Sequence, residues 1–282
     1  MDSLDDLRYV PRVGLALGGG GVLGAAHVGV LQVLLERGIT PTVVAGTSAG
    51  AVMGAAYAVG LDPYDLEART YRAGWGTFGT LSPKPGLGLL TADALRQTVR
   101  NVAGDAVIED LPLRYAAVAT DIETREVVVL DRGPLADAIA ASIAVPGIFR
   151  PVRVGGRMLI DGGVVQNLPI QTAFELGADH VIAVRLAPEW DGLGVEHTAL
   201  QVHEWAIRSD VTLVRPILER RSQWLPRDLP GLVELGREAA ERALAGYPVV
   251  SPPPERPAAP ATPEGEETPA PPRGISRFLH RH

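Results

Sequence analysis

The chain has 282 residues, 46% of them hydrophobic, which is enough for one large α/β domain with a sizeable core. The net charge of −7 argues against a nucleic-acid partner, because a domain that binds nucleic acid normally presents a basic face. The absence of cysteine excludes disulfides and cysteine–zinc sites, and the six histidines show no metal-binding spacing, so we expect no metal and no cofactor.

Two stretches without charged residues, Val13–Leu35 and Gly38–Leu61, have the length of membrane-spanning helices. Glycines and turn residues interrupt both stretches, so each fits better as a buried strand, a glycine turn and a core helix. The N-terminal segment Met1–Asp6 is acidic and lacks the pattern of a signal peptide. We therefore expect a soluble cytoplasmic protein, with peripheral contact as its closest association with a membrane.

Apolar strand patterns alternate with helical patterns from the predicted strand Val13–Leu17 to the predicted strand His180–Leu186. This alternation indicates a mainly parallel central sheet with helices on both faces, which is a three-layer α/β/α sandwich. The other predicted strands are Thr42–Ala45, Arg114–Ile122, Glu126–Leu130 and a hairpin of Phe149–Val154 with Arg157–Ile160. The predicted helices are Val22–Arg37, Ala49–Val59, Asp62–Ala73, Thr91–Val102 with Thr91 as its cap, Pro134–Ala144, Asn167–Leu176, His197–Arg221 and Leu232–Leu244.

Two segments differ in composition from the rest of the chain. Gly74–Leu90 is rich in Gly, Pro and Ser with interspersed apolar residues, and it fits equally a mobile cover over a binding site and an ordinary connection over the core. Ser251–Arg273 is mostly Pro, Ala, Glu and Thr, and it buries too little apolar surface to offset the entropy of ordering. We therefore predict a folded domain over residues 1–250 and a disordered Pro/Ala-rich tail over residues 251–282.

The most informative motif is the G-x-S-x-G pentapeptide Gly46–Gly50, which follows the apolar run Val43–Ala45 and precedes a helix of small residues. Strand, tight turn and helix in this order are the context of a nucleophile elbow. The flanking glycines allow a strained turn that exposes the Ser48 hydroxyl at the end of the sheet. The N-terminus of the next helix would point its N–H groups at developing negative charge. The pattern therefore predicts Ser48 as a nucleophile.

A second glycine-rich turn, Gly18–Gly24, follows the first strand and contains the spacing G-x-G-x-x-G. A dinucleotide-binding turn needs an acidic residue about twenty positions later, at the end of the second strand. That strand ends in the motif around Ser48, and Glu36 lies on the intervening helix, which disfavours this interpretation. Free N–H groups at a helix N-terminus bind other anions as well, so the turn suits a tetrahedral oxyanion beside the serine.

A serine nucleophile needs a base, and the candidate is Asp161 in the run Asp161–Gly163 after the apolar Met158–Ile160. In isolation, Asp-Gly after a strand is most often only a turn. The functional alternative is that the strand delivers this aspartate beside Ser48. Because the unperturbed pKa of an aspartate is about 3.9, activation would then depend on a short Ser–Asp hydrogen bond and on N–H stabilisation of the oxyanion.

These three motifs occur in the order and contexts of the patatin-like phospholipase family, which Val13–Leu186 resembles. The flanking runs Ala25–Leu31 and Ala141–Phe149 resemble short bacterial members, although Leu23 stands where the family usually has Arg or Lys. The resemblance implies a patatin-like Ser–Asp dyad hydrolase over residues 1–250, a phospholipase A or lysophospholipase-like esterase whose partner is a lipid or acyl-ester substrate. It carries over Ser48 as nucleophile, Asp161 as base, Gly19, Gly20 and Gly21 as the oxyanion hole, and Gly24, Gly46, Gly50, Gly162 and Gly163 as motif glycines.

Two alternatives remain open. A Ser–His–Asp esterase of the α/β-hydrolase type needs a histidine after the acid, and chain order permits His180, His197 or His203. Each of these fits better as a structural histidine, as does His27 after the glycine loop. The other alternative is a regulatory or binding protein on the same fold, either weakly active or non-catalytic, and the expected signature of the non-catalytic form is loss of the serine or the aspartate. Both residues are present.

Overall fold

The computed structural model describes residues 11–82, 88–186, 203–219 and 221–247. The strands are β1 (Val13–Leu17), β2 (Val43–Thr47), β3 (Thr80–Leu81), β4 (Gly88–Thr91), β5 (Arg114–Asp121), β6 (Val127–Leu130), β7 (Gly147–Phe149), β8 (Val152–Val154), β9 (Arg157–Asp161), β10 (His180–Val184) and β11 (Val211–Val214). The helices are α1 (Ala25–Glu36), α2 (Ala49–Ala58), α3 (Pro63–Arg72), α4 (Trp75–Phe78), α5 (Asp93–Ala103), α6 (Leu135–Ser142), α7 (Ile170–Glu175) and α8 (Leu229–Ala243).

Eight strands form the central sheet in the order β11-β10-β1-β2-β5-β9-β8, with β6 paired to β5. The five strands from β11 to β5 run parallel, whereas β6, β8 and β9 pair antiparallel with their neighbours. The inner parallel strands are almost continuously buried because helices cover both faces. The prediction of an α/β protein with a mainly parallel central sheet is confirmed.

Alternate side chains along the strands pack into cores on opposite faces of the sheet. In β1, Leu15 and Leu17 belong to the larger core, which α1, α2, α6 and α8 complete. Ala16 belongs to the smaller core on the other face, together with Ile170 and Ala173 of α7. The two-residue period of a strand produces this division. A sheet with helices on both faces is the predicted three-layer α/β/α sandwich.

Local capping chemistry sets where two of the helices begin. The Asp62 carboxylate accepts the Tyr64 amide at 2.8 Å, and Pro63 occupies the first position of α3. The Asp228 carboxylate likewise accepts the Gly231 amide at 3.1 Å at the start of α8. This cap explains why α8 begins earlier than its apolar pattern alone predicts.

The predicted helix His197–Arg221 is only partly correct: residues 203–206 are helical, but residues 211–214 form the strand β11. β11 pairs in parallel with β10, with Val211 opposite Val181. A short apolar run fits a helix or a strand equally in sequence, and here the edge of β10 provides hydrogen-bonding partners for a strand. β-Branched residues such as Val211 and Val214 also favour a strand. Residues 187–202, which include His197, lie outside the described residues.

Part of the Gly74–Leu90 segment has regular structure, since it contains α4, β3 and most of β4. β3, β4 and β7 form a small second sheet. Thr91 is the last residue of β4 and not the cap of α5, which begins at Asp93 directly after Ala92. The Thr91 hydroxyl donates to the Asp93 carboxylate at 2.8 Å. Residues 83–87 and the predicted tail, residues 251–282, lie outside the described residues.

None of the described helices has the length and hydrophobicity that crossing a bilayer requires. The two uncharged stretches form strands, turns and helices, as predicted. β1 leads through a 3-10 turn at Gly21–Gly24 into α1, and β2 leads through Ser48 into α2. Both turns therefore follow the carboxyl ends of neighbouring parallel strands.

Candidate active site

Ser48 lies in the sharp turn between β2 and α2. Its backbone has φ 53° and ψ −119°, a conformation that costs a non-glycine residue about 1–3 kcal/mol. The turn is tightly packed, since a Cβ atom at Gly46 would lie 2.4 Å from the Gly50 carbonyl oxygen. A Cβ atom at Gly50 would lie 2.1 Å from the Leu17 carbonyl oxygen. Both flanking positions of the motif therefore require glycine.

A second serine holds this strained turn. The Ser48 amide donates to Ser142 Oγ at 2.9 Å, and the Ser142 hydroxyl donates to the Val118 carbonyl at 2.6 Å. Ser142 is fully buried at the end of α6, and Val118 lies on β5, so the turn is tied to two elements. Local sequence patterns do not reveal this role. The one signal for Ser142 in the sequence is its place in the run Ala141–Phe149, which precedes Asp161.

The strand register brings Asp161, the last residue of β9, to Ser48. Thr47 lies opposite Val118 of β5, and Asp161 lies opposite the next β5 residue, Ala119. Because β6 occupies the other edge of β5 at both positions, β2 and β9 share one edge. β2 runs parallel to β5 and β9 antiparallel, so their carboxyl ends meet. The candidate nucleophile and the candidate base lie next to each other at this junction.

The environment of the Asp161 carboxyl group makes it a weaker acid than usual. The residue is 1% exposed, and burial raises its pKa to about 6. The Ser48 hydroxyl and the Gly163 amide act in the opposite direction, and the amide donates to Oδ1 at 2.7 Å. Oδ2 has no hydrogen-bond partner among the described residues, so the Ser48 hydroxyl approaches the carboxyl group without completing a hydrogen bond to Oδ2. Such contacts often tighten when substrate binds.

The glycine-rich turn after β1 lies directly against Ser48, since a Cβ atom at Gly19 would be 3.1 Å from the Ser48 Cβ atom. The Gly19 amide donates to the backbone and side-chain oxygens of Asn167, both at 3.1 Å. The amides of Gly20 and Gly21 donate to no acceptor within the part of the chain that the structure describes. Two of the three predicted oxyanion-hole glycines thus have N–H groups available, and the third is engaged.

The remaining motif positions pack closely around the same turns. A Cβ atom at Gly24 would lie 2.8 Å from the Ala49 Cβ atom, and one at Gly162 would lie 2.3 Å from the Val118 carbonyl oxygen. Leu23, at the position where the resembling family usually has Arg or Lys, is 2% exposed and packs in the larger core. This position therefore supplies packing and no positive charge.

An apolar cavity of about 260 Å³ is lined by Ser48 and continues along α2. Residues from α3, α4, α5 and α6 complete its wall. Two of its polar side chains, Thr70 and Thr98, donate their hydroxyls to carbonyls of their own helices, so they present little free polarity. The cavity therefore suits an apolar chain. The residues of and next to α2 that line it are Ser48, Ala49, Val52, Met53, Ala55, Ala56 and Val59.

The described histidines lie outside this cavity. His27 is fully buried and its Nε2 bonds the Gly18 carbonyl at 2.8 Å, while burial lowers its pKa to about 4. His180 Nε2 bonds the Thr212 hydroxyl at 2.8 Å, and His203 is exposed. Nor do the described residues bring together three His, Asp or Glu side chains that could hold a metal.

Comparison with known sequences places these motifs in one family. The model of the patatin-like phospholipase family matches residues 15–174, more than half of the chain. An uncharacterized NTE family protein of Mycobacterium tuberculosis is 40% identical over 222 residues, which cover 74% of this chain and 61% of that protein. The lysophospholipase NTE1 of Debaryomyces hansenii is 32% identical over 177 residues, which cover 61% of this chain and 12% of that protein. The chain therefore spans less than two thirds of the length of these relatives.

A solved structure shows the same fold. The crystal structure of VipD from Legionella pneumophila superposes with a TM-score of 0.55 at 15% sequence identity, covering 84% of this chain and 67% of VipD. At this identity the similarity concerns the fold alone. The family match contains the glycine-rich turn, the serine turn and the aspartate described above. On this match, the chain belongs to the patatin-like phospholipase family.

Proposed function

We propose that this protein is a serine hydrolase that cleaves acyl esters of lipids with a Ser48–Asp161 dyad. The observation that carries the proposal is the position of Ser48, between the buried Asp161 carboxyl group and an apolar cavity. Membership of the patatin-like phospholipase family supports a lipid ester as substrate, as does the name lysophospholipase of the Debaryomyces hansenii relative.

In the first half-reaction, Ser48 Oγ attacks the ester carbonyl carbon while Asp161 accepts the serine proton. With its pKa near 6, Asp161 is mostly ionised at neutral pH and is more basic than an ordinary aspartate. The tetrahedral intermediate then collapses, the bond to the alcohol breaks, and Asp161 returns the proton to the leaving oxygen. The product of this step is an acyl-enzyme and a free alcohol.

In the second half-reaction, water attacks the acyl carbonyl carbon and Asp161 accepts a proton from that water. Collapse of the second tetrahedral intermediate releases the fatty acid and returns the proton to Ser48. In both intermediates the negative oxygen needs hydrogen-bond donors. The amides of Gly20 and Gly21 are suitable donors, because the described residues offer them no other acceptor and their loop lies against Ser48.

The dyad accounts for the described geometry better than a Ser–His–Asp triad does. Asp161 is the group whose pKa responds to the Ser48 hydroxyl. The ring of His27 is committed to the Gly18 carbonyl. His180 begins β10, whereas Ser48 follows the carboxyl end of β2, so the two residues lie at opposite ends of the parallel strands.

Fluorophosphonate labelling together with hydrolysis of p-nitrophenyl butyrate tests the proposal. Ser48→Ala should abolish both labelling and turnover, since it removes the attacking oxygen. The matched control is Ser209→Ala, which removes a hydroxyl from an exposed position and should leave both unchanged. Turnover by purified Ser48→Ala at the level of the unmodified protein would show that Ser48 is not the nucleophile.

A further inference from the structure

We infer that His27 and Asn167 are positioning residues that hold one peptide group of the oxyanion loop from both ends. This peptide group joins Gly18 to Gly19. His27 Nε2 donates to its oxygen at 2.8 Å, and its N–H group donates to the Asn167 side-chain oxygen at 3.1 Å. We call this arrangement the peptide clamp. The inference rests on the proposed function, because that mechanism is what assigns an oxyanion to this loop.

The loop needs such a constraint because Gly18–Gly21 has little stiffness of its own. Glycine has the widest backbone freedom of all residues, so ordering four in succession costs more entropy than usual. A peptide group is planar, so hydrogen bonds at both its oxygen and its nitrogen oppose its rotation about the chain direction. The next amides along the chain, Gly20 and Gly21, are those without an acceptor. The clamp therefore sets the direction of the donors that the mechanism uses.

The two clamp residues come from different parts of the fold. His27 is in the first turn of α1 and is 0% exposed, and Asn167 follows Asp161 by six residues and is 8% exposed. The backbone oxygen of Asn167 also accepts the Gly19 amide at 3.1 Å. The segment after the proposed base is thus bonded directly to the glycine loop, so the clamp fixes base and oxyanion donors relative to each other.

The His27 ring donates its single N–H group to the Gly18 carbonyl oxygen. A neutral imidazole carries one N–H group, and since the Gly18 carbonyl can only accept, this group is on Nε2. Nδ1 is buried and has no partner among the described residues. An unsatisfied buried acceptor such as this Nδ1 costs stability, and an aromatic or aliphatic residue would fill the same space without that cost. An imidazole at this position is explained by its bond to Gly18 and not by packing alone.

Steady-state kinetics of the purified full chain with p-nitrophenyl butyrate tests the clamp. His27→Phe keeps a ring but removes the donor, and Asn167→Ala removes the side-chain acceptor. We expect His27→Phe to lower kcat about 10- to 100-fold, and Asn167→Ala, which keeps the backbone acceptor of Gly19, to lower it about 3- to 10-fold. Both should change KM less than about twofold, because the donors act on the transition state. His27→Gln can place an N–H group near the original one and should recover most of the lost kcat. Affinity for a trifluoromethyl ketone, which forms a tetrahedral adduct with serine, should fall in proportion to kcat.

The matched control is His180→Phe, which also removes a histidine hydrogen bond, to Thr212, but at the amino ends of the parallel strands, away from Ser48. It should leave kcat unchanged. Normal kcat in His27→Phe and Asn167→Ala would overturn the clamp, as would equal loss in His27→Gln and His27→Phe. If His27→Phe does not fold, Asn167→Ala decides: a selective loss of kcat supports the clamp and a normal kcat overturns it. Activity retained in Ser48→Ala would instead overturn the proposed function, so the two failures are distinguishable.

Discussion

Replacement of Ala56 by phenylalanine should shorten the acyl chains that the protein hydrolyses. Ala56 lies on the cavity-lining face of α2, eight residues after Ser48. At about 1.5 Å per residue along a helix, it is roughly 12 Å from the serine. An extended chain advances about 1.1 Å per bond, as the rise of about 3.3 Å per three-bond residue in a strand shows. An acyl chain therefore reaches Ala56 at roughly its tenth carbon.

The expected magnitude follows from the methylene groups that the new ring displaces. A phenylalanine at Ala56 should exclude about the last three carbons of a dodecanoyl chain, at about 0.8 kcal/mol each, for a total of about 2.4 kcal/mol. This loss corresponds to a fall of about 60-fold in kcat/KM for the laurate ester. A butyrate chain ends well before Ala56, so its hydrolysis should change less than about twofold.

The assay is a series of p-nitrophenyl esters from butyrate to laurate, with kcat/KM measured for each. Ala68→Phe is the matched control, since it makes the same substitution on the exposed face of α3, away from the cavity. It should leave the chain-length profile unchanged. Unchanged hydrolysis of laurate in Ala56→Phe would show that the acyl chain does not follow α2. An equal loss on butyrate and laurate with a lower melting temperature would show overpacking of the core instead.

Three further predictions concern Asp161 and the cavity wall. Activity on a soluble ester should rise through about pH 6 and level off above it, because Asp161 must be ionised to accept the Ser48 proton; a flat profile from pH 5 to 8 would contradict this. The folded pKa of Asp161, about 6, exceeds the unfolded value of about 3.9, so its protonated carboxyl group contributes to the free energy of unfolding. This contribution is fully present below about pH 4 and is lost as the pH rises through 6. Asp161→Asn should therefore abolish turnover yet stabilise the fold by up to about 3 kcal/mol at pH 8 and by little at pH 4, and equal melting-temperature differences at both values would refute the reasoning. Phe78→Ala, which opens the cavity wall, should reduce hydrolysis of laurate far more than of butyrate, and a parallel loss on both esters would assign this ring to the core.

Local sequence patterns predicted the parts of the site that consist of one strand, one turn and one helix. The turn at Ser48 requires glycine at Gly46 and Gly50 because backbone atoms approach within 2.1–2.4 Å of any Cβ there, and that requirement is visible in five consecutive residues. The parallel sheet was equally predictable, because the alternation of strand and helix periods is a local property. Asp161 was a weaker prediction, since Asp-Gly after a strand also occurs in ordinary turns.

Local patterns failed where pairing with a distant strand decides the structure. Residues 211–214 have the composition of a helix or a strand, and the edge of β10 makes them a strand. Thr91 has the chemistry of a helix cap, but its place in β4 moves the start of α5 to Asp93. In both cases hydrogen-bond partners from another element outweigh the preference of the segment itself.

Only the tertiary structure decided which candidate groups meet. Asp161 reaches Ser48 because β2 and β9 share one edge of β5 with their carboxyl ends together. Ser142 bonds the Ser48 amide across 94 residues of sequence, and Asn167 bonds the Gly19 amide across 148. Such contacts depend on strand order and register across the whole sheet, which no short window of sequence contains. The sequence by itself determined which residues carry candidate chemical groups and turns, because those depend on neighbours along the chain.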